Sequence, residues 1–285
     1  MSFTQTLKVK AFDLNTICKD PTIIINAKRG SGKSYCIRHL IDHFNTKLHY
    51  PVGILCSYSE KLNHFYQDFF PDSFIYDDCA KAIHKILVRQ KHLISINNKR
   101  KEEGKKLHDI RILLVLDDVI SNAKEWGKSD EMKEVMFNGR HYGITLIIAV
   151  QDTMALPPAS RNNFDYVFLF NNDINSEIAK IYAHFAGIFE NINSFKQALT
   201  TLTENHGILV IIRRGNISNN LVDKIAHFTA KDYGNGIPKM FGCDKYIKYH
   251  KKYYDKDWFT HEFEMQEKFG MIGKKQNRTN IRIEN

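Results

Sequence analysis

What is missing narrows the possibilities for this chain first. No apolar run in its 285 residues approaches the roughly 20 needed to cross a bilayer, which argues against a membrane-spanning helix. The start, Met1-Ser2-Phe3-Thr4-Gln5-Thr6-Leu7-Lys8-Val9-Lys10, has no signal-peptide apolar region, so secretion is not expected. Cysteine is sparse. Cys18, Cys36, Cys56, Cys79 and Cys243 are scattered, odd in number and without Cys-x-x-Cys spacing. They read as reduced thiols of an intracellular protein rather than a disulfide framework. His39 and His43 stand four apart on a helix, but the glutamate of a zinc-hydrolase motif is lacking, so no metal site is read there. Internal repeats are absent. Asn216-Ile217-Ser218 fits a glycosylation sequon, which has no meaning without secretion. Acidic residues fall short of basic ones, 32 Asp+Glu against 41 Lys+Arg, for a formal charge of +9. That excess suits a polyanionic partner, nucleic acid first, although a solvated basic surface gives the same balance. With 43% hydrophobic and 26% charged residues the composition is that of an ordinary globular protein. The length suffices for one large α/β domain and a modest extension.

What is present is concentrated in Ala27-Lys28-Arg29-Gly30-Ser31-Gly32-Lys33-Ser34. It follows the apolar run Thr22-Ile23-Ile24-Ile25-Asn26 and leads into Tyr35-Cys36-Ile37-Arg38-His39-Leu40-Ile41. A buried strand, a glycine-bearing turn and a helix start form the setting in which a phosphate loop works. Small residues let successive backbone N–H groups converge on the β-phosphate. Lys33 would bridge the β- and γ-phosphates, and the Ser34 hydroxyl would bind Mg²⁺. The chain is therefore expected to bind a nucleoside triphosphate, ATP with Mg²⁺.

A βα rhythm runs through the first two-thirds. After the loop and its helix comes a short buried strand, Pro51-Val52-Gly53-Ile54-Leu55-Cys56, then a helical stretch near 79–103 with apolar Ala80, Ile83 and Leu87. That helix ends in the charge run 99–106, an exposed helix end and loop or a DNA-facing segment. Arg111–Asp117, Ile144–Val150 and Tyr166–Phe170 are continuously apolar rather than alternating, the mark of strands covered on both faces. Helical patterns follow around 175–186 and 191–204, then a strand over 207–213. These signals predict an α/β fold with a mainly parallel sheet flanked by helices, its core within 1–215. Residues 217–220 read as a turn cluster, and 216–285 as a basic, aromatic-rich extension that is partly mobile at its end. Within it, residues 245–256 interleave lysines with tyrosines.

Leu113-Leu114-Val115-Leu116-Asp117-Asp118 places two acids at the carboxyl end of a buried strand, where ligands bind in open α/β sheets. Asp117 would hold the Mg²⁺ shell, and Asp118 would orient or deprotonate the attacking water. A carboxylate dedicated to water favours hydrolysis over phosphoryl transfer to a small molecule. Gln151, at the end of strand 144–150, would touch both γ-phosphate and water and so sense hydrolysis. Three arginines compete to stabilise the transition state. Arg29 sits inside the loop and could act in cis, whereas Arg140 and Arg161, before and after the sensor strand, could reach a neighbouring subunit's nucleotide in a ring. Spacing does not choose among them.

The series Phe137-Asn138-Gly139-Arg140-His141, Ile144–Gln151 and Leu156-Pro157-Pro158-Ala159-Ser160-Arg161-Asn162-Asn163-Phe164-Asp165, with Leu116-Asp117-Asp118-Val119 upstream, resembles the poxvirus-type virion DNA-packaging ATPases. These belong to the FtsK–HerA group of P-loop motors. The resemblance covers roughly residues 20–215. It implies an ASCE-type sheet, with the sensor strand between the phosphate-loop and two-acid strands, and an oligomeric ring that drives double-stranded DNA into a capsid. It places Lys33 and Ser34 at the nucleotide, Asp117 and Asp118 at metal and water, and Gln151 at the sensor. A capsid or portal-like partner, and a location in the host cytoplasm and the virion, go with it. The chain departs from many relatives at Ala27, where they carry glycine, and at Asp118, where hydrolytic P-loop motors often carry the longer glutamate. The alternatives are a cellular-type FtsK–HerA translocase, an ATP-binding assembly switch with little turnover, and a small-molecule kinase.

Overall fold

The computed structural model describes residues 8–119, 126–214, 218–234, 236, 238–255 and 257. Residues 1–7, Asn216, Ile217, Lys256 and the polar end 274–280 lie outside these. The continuous apolar runs become the middle of a nine-stranded sheet in the order β1-β9-β8-β7-β2-β6-β5-β3-β4. The strands are β1 Lys10–Ala11, β2 Thr22–Asn26, β3 Val52–Cys56, β4 Ile75–Tyr76, β5 Ile112–Leu116, β6 Ile144–Val150, β7 Tyr166–Leu169, β8 Gly207–Ile212 and β9 Ile225–Thr229. From β7 through β2, β6, β5 and β3 to β4 all pairings are parallel. Strand β6, which leads into Gln151, lies between β2 and β5, as the resemblance implies.

Side chains alternate across a strand, so each apolar run feeds two cores. Ile24, Leu114, Leu116, Ile148 and Val167 face one side, and Ile23, Ile25, Leu113, Val115, Ile147 and Phe168 the other. The described α-helices are α1 Lys33–Thr46, α2 Glu60–Asn63, α3 Cys79–Glu102, α4 Asp130–Asn138, α5 Pro158–Arg161, α6 Asn175–Phe185, α7 Ile192–Leu202 and α8 Asp244–Tyr253. The first core is covered by α3, α4, α6 and α7, the second by α1 and the aromatic segment Tyr66–Phe70. In α3 the buried face is carried by Cys79, Ala82, Ile83, Ile86 and Leu87, while Ala80 is exposed. Residues 99–106 are solvent-facing or half-exposed, as a charged helix end should be.

The described residues beyond 217 pack on this body through β9 and α8. Strand β9 pairs antiparallel with β8 and parallel with β1, an edge strand that residues 10–11 supply. Helix α8 docks through Tyr246, which is buried, stacks on Phe74 at 3.9 Å and donates its hydroxyl to the Gly53 carbonyl. Just ahead of it, Phe241 stacks on Phe70 at 5.1 Å. Gly53 leaves room for that pair, since a Cβ there would come within 2.7 Å of the Phe241 ring. The lysines of 245–252 remain in solvent, together with Tyr249 and Tyr253, whose rings lie 4.6 Å apart. All five cysteines are free. Among the described residues no helix is long and apolar enough to cross a membrane.

Candidate functional site

Because β2, β5, β6 and β7 run parallel, their carboxyl ends meet along one edge of the sheet, and each loop leaving that edge carries one part of a site. From β2 emerges the loop Ala27–Ser34. Ala27 is buried, donates its N–H to the Val150 carbonyl at 3.0 Å and has no left-handed backbone. Its Cβ is therefore accommodated without strain at this position of the loop. Gly30 and Gly32, at φ 76° and 94°, are the positions where a side chain would be strained. Gly32 caps the start of α1, so the helix's first N–H groups point toward the loop, an arrangement suited to phosphate.

Lys33 is buried, with Nζ 2.7 Å from Oδ1 of Asp117, the residue that follows β5. The other Asp117 oxygen accepts hydrogen bonds from the Tyr66 hydroxyl at 2.7 Å and from Ser34 Oγ at 3.5 Å. Asp118, the next residue, has a left-handed backbone with φ 56°. It meets a different partner, since Gln151 Nε2 at the end of β6 donates to its Oδ1 at 3.1 Å. Adjacent carboxylates are thus assigned separate surroundings: Asp117 is buried against the phosphate loop, and Asp118 is half-exposed beside Gln151. The Ser34 hydroxyl and Asp117 carboxylate form an oxygen-only donor pair at the head of α1, which fits a hard divalent ion such as Mg²⁺. Bound there with a nucleotide, the ion would neutralise phosphate charge.

All of these groups line one cleft of about 930 Å³, with Lys28 to Tyr35, Tyr66, Asp117, Asp118 and Gln151 on its walls. Of the three arginines, Arg29 lines it and is exposed. Arg140 precedes β6 and so stands at the opposite, amino edge of the sheet. It is half-exposed, 3.3 Å from Asp165. Arg161 is buried, donating from Nε to the Leu156 carbonyl at 2.8 Å and lying 3.1 Å from the His184 ring. In this conformation it does not present its guanidinium to a neighbour. His39 and His43 are absorbed by packing: His39 Nδ1 accepts from the Lys231 N–H and stacks on Phe228, and His43 is buried beside Phe44.

Two groups escaped the sequence. Tyr66 belongs to the aromatic segment 65–70 between β3 and β4, whose only signal was its aromatic density. Glu60 fixes it, accepting the backbone N–H groups of Tyr66 and Gln67 at 2.7 and 3.0 Å. Burial, and then the Asp117 charge, pushes the Tyr66 phenol well above its usual range, so it stays protonated and donates to Asp117. Tyr66→Phe is expected to raise the Mg²⁺ concentration that half-saturates nucleotide binding by about tenfold, because partners that orient a metal ligand matter on that scale. A Mg²⁺ titration of nucleotide binding by the variant checks this. The second group, Asn205 and His206, falls between the helical pattern of 191–204 and the strand over 207–213, yet both line the same cleft.

The fold and this edge define a P-loop ATPase fold of the ASCE type. The family described as Poxvirus A32 protein matches residues 9–220, and the chain belongs to that family. It is 36% identical over 275 residues to the uncharacterized protein L437 of Acanthamoeba polyphaga mimivirus, covering 95% of this chain and 94% of the relative. It is 30% identical over 269 residues to the uncharacterized protein 075L of Invertebrate iridescent virus 6, covering 90% and 99%. The fold is also that of the genome packaging NTPase B204 from Sulfolobus turreted icosahedral virus 2 in complex with AMPPCP. There the TM-score is 0.53 at 17% identity, over 75% of this chain and 99% of that one.

Proposed function

We propose that this chain is an ATP-driven motor that moves double-stranded DNA into a preformed viral capsid, with ATP and Mg²⁺ as its nucleotide and metal. The observation that carries this is the separation of Asp117 and Asp118 onto different partners, which lets one carboxylate serve the phosphate end and the other serve water. Lys33 exchanges its contact with Asp117 for the β- and γ-phosphates. Asp118, held by Gln151, orients and deprotonates the attacking water. The Gln151 amide is bonded to that base and stands at the end of β6, so loss of the γ-phosphate alters its bonding and strains the strand that carries it. Arg29 is the cis candidate for transition-state charge, and half-exposed Arg140 the trans candidate from a neighbouring subunit in a ring. Arg161 would need to leave its buried bonds to act.

The charge of +9 favours a polyanion, and packaging requires contact that ignores sequence, hence contact with phosphates. Helix α8 offers a surface for it, with exposed lysines around the Tyr249–Tyr253 pair. A capsid or portal-like partner and a place in the host cytoplasm and the virion belong to the same reading.

Steady-state ATP hydrolysis, measured with and without long double-stranded DNA, tests this. Hydrolysis is expected to rise several-fold with DNA, and the stimulation to fall steeply between about 50 and 200 mM salt. Turnover indifferent to DNA would point to a kinase. Tight nucleotide binding without turnover would point to an assembly switch.

A further inference from the structure

The charge run at 99–106 takes no part in the chemistry above, and its position in the fold is specific. Helix α3 starts at Cys79, just after β4, at the same edge of the sheet as the phosphate loop. Farther along it, Gln90 Nε2 donates to the carbonyl of Ile110 at 2.8 Å and to that of Tyr142. Those two residues lead into β5 and β6, so Gln90 marks the amino edge, opposite the nucleotide cleft. Gln90 is also the last buried residue of α3. Residues 91–102 therefore carry the helix about 18 Å past the sheet, at 1.5 Å per residue. A helical segment without a buried residue adds little to the core, which is where most helices gain their stability.

The projection is nevertheless held in shape. Gly104, at φ 65°, turns the chain back along the helix. The Lys105 N–H donates to the Arg100 carbonyl at 2.8 Å, and Arg100 Nε donates to the Lys106 carbonyl at 2.7 Å. Asn97 and His108 exchange two bonds, Asn97 Nδ2 to the His108 carbonyl at 3.0 Å and the His108 N–H to Asn97 Oδ1 at 2.9 Å. On this braced arm Lys105 pairs with Glu103, whereas no described acid pairs with Lys99, Arg100, Lys101 or Lys106. Other turns of the same edge add to the charge. Lys19 ahead of β2 and Lys47 ahead of β3 are exposed. The acids of this edge nearest to them are withdrawn, Asp20 being 3% exposed and bonded by the Tyr50 hydroxyl, and Asp109 being held by Arg111. The surface presented beside the arm is therefore positive.

We infer that the arm over residues 97–109 is a docking surface for double-stranded DNA, which it meets through backbone phosphates at the edge opposite the nucleotide cleft. This deepens the DNA-motor reading and rests on it. Duplex DNA presents a charge about every 1.7 Å whatever its sequence, and lysines on a fixed helix end meet such charges without a shaped pocket. A protein partner would call for an apolar centre to the interface, and Leu107 is the only large apolar residue from 97 to 109. Contact here also leaves the cleft open, so DNA and nucleotide do not compete for one surface.

Binding of a labelled duplex by the full chain, followed by anisotropy across a salt series, tests this. The arm variant combines Lys99→Gln, Lys101→Gln and Lys106→Gln. A control removes the same charge from α4, α6 and α7 through Lys133→Gln, Lys180→Gln and Lys196→Gln. Near 100 mM salt the arm variant is expected to bind about ten- to hundredfold more weakly, with a slope of log K against log salt shallower by about 2–3, since each lost phosphate contact removes about 0.9. The control is expected to stay within about threefold, because charges farther from the duplex than about 10 Å are screened. A thermal melt matching that of the unaltered chain shows that the arm variant is folded. Unchanged affinity and slope in the arm variant overturn the surface and leave the arm to an acidic protein. An equal loss in the control assigns the effect to net charge and overturns it as well. An unaltered chain that binds no duplex at the lowest salt overturns the DNA reading itself, and the arm with it.

Discussion

Lys33→Ala is expected to abolish ATP turnover, lowering it by at least about 10²–10³-fold, the scale of losing one preorganised donor to transition-state charge. Two effects combine at this position. The substitution removes the cation that meets the β- and γ-phosphates, and it strips Asp117 of the ammonium 2.7 Å from its Oδ1. Both side chains are buried, at 10% and 5% exposure, so the orphaned carboxylate carries a desolvation cost of its own. The protein without nucleotide should therefore melt at a lower temperature as well. Steady-state hydrolysis with a thermal melt separates the two effects. The double variant Lys33→Ala, Asp117→Asn should recover much of the stability and none of the turnover. Wild-type-like hydrolysis by Lys33→Ala would remove the loop from the mechanism.

Asp118→Asn is expected to keep nucleotide binding within about threefold while turnover falls by about 10²–10⁴-fold, the range for loss of a positioned general base. Asparagine is the informative replacement because Asp118 has φ 56°, a conformation asparagine adopts readily, so the backbone should not change. The amide still accepts from Gln151 Nε2, and only the basicity is lost. A single-turnover measurement with pre-bound ATP reads the chemical step directly. Unchanged turnover would move the base elsewhere. A parallel loss of binding would place Asp118 with Asp117 at the phosphate end.

Much of the fold was legible because its central strands are buried on both faces. Thr22–Asn26 and Ile144–Val150 are apolar along their whole lengths apart from a few short polar residues, and the observed strands have those limits. The helices α3, α6 and α7 fall within two residues of the bounds read from periodicity. Strand β9 was not legible. Its five residues, Ile225-Ala226-His227-Phe228-Thr229, follow a polar turn and are recognisable as strand only once β8 offers them a partner. The direction of β8 was equally hidden, because an apolar run says that both faces are covered but not which way the neighbours run.

The candidate site divides in the same way. Lys33, Ser34, Asp117, Asp118 and Gln151 could be named from the sequence because each follows a buried strand of a parallel sheet, and parallel strands deliver their carboxyl ends to one edge whatever else the chain does. Tyr66, Asn205 and His206 could not. They reach the cleft from a loop between β3 and β4 and from a turn created by an antiparallel reversal, and neither placement has a local pattern. The arginines show the remaining limit. Arg29, Arg140 and Arg161 were equivalent by spacing, and only packing distinguishes an exposed residue in the cleft, a half-exposed one at the far edge and one buried against Leu156 and His184. The sequence by itself determined which strands exist and which chemistry ends them, since burial on two faces and the phosphate loop are local requirements. Strand direction, the partners of Asp117 and the second side of the cleft were decided by tertiary structure, because each depends on residues far apart in the chain being packed against one another.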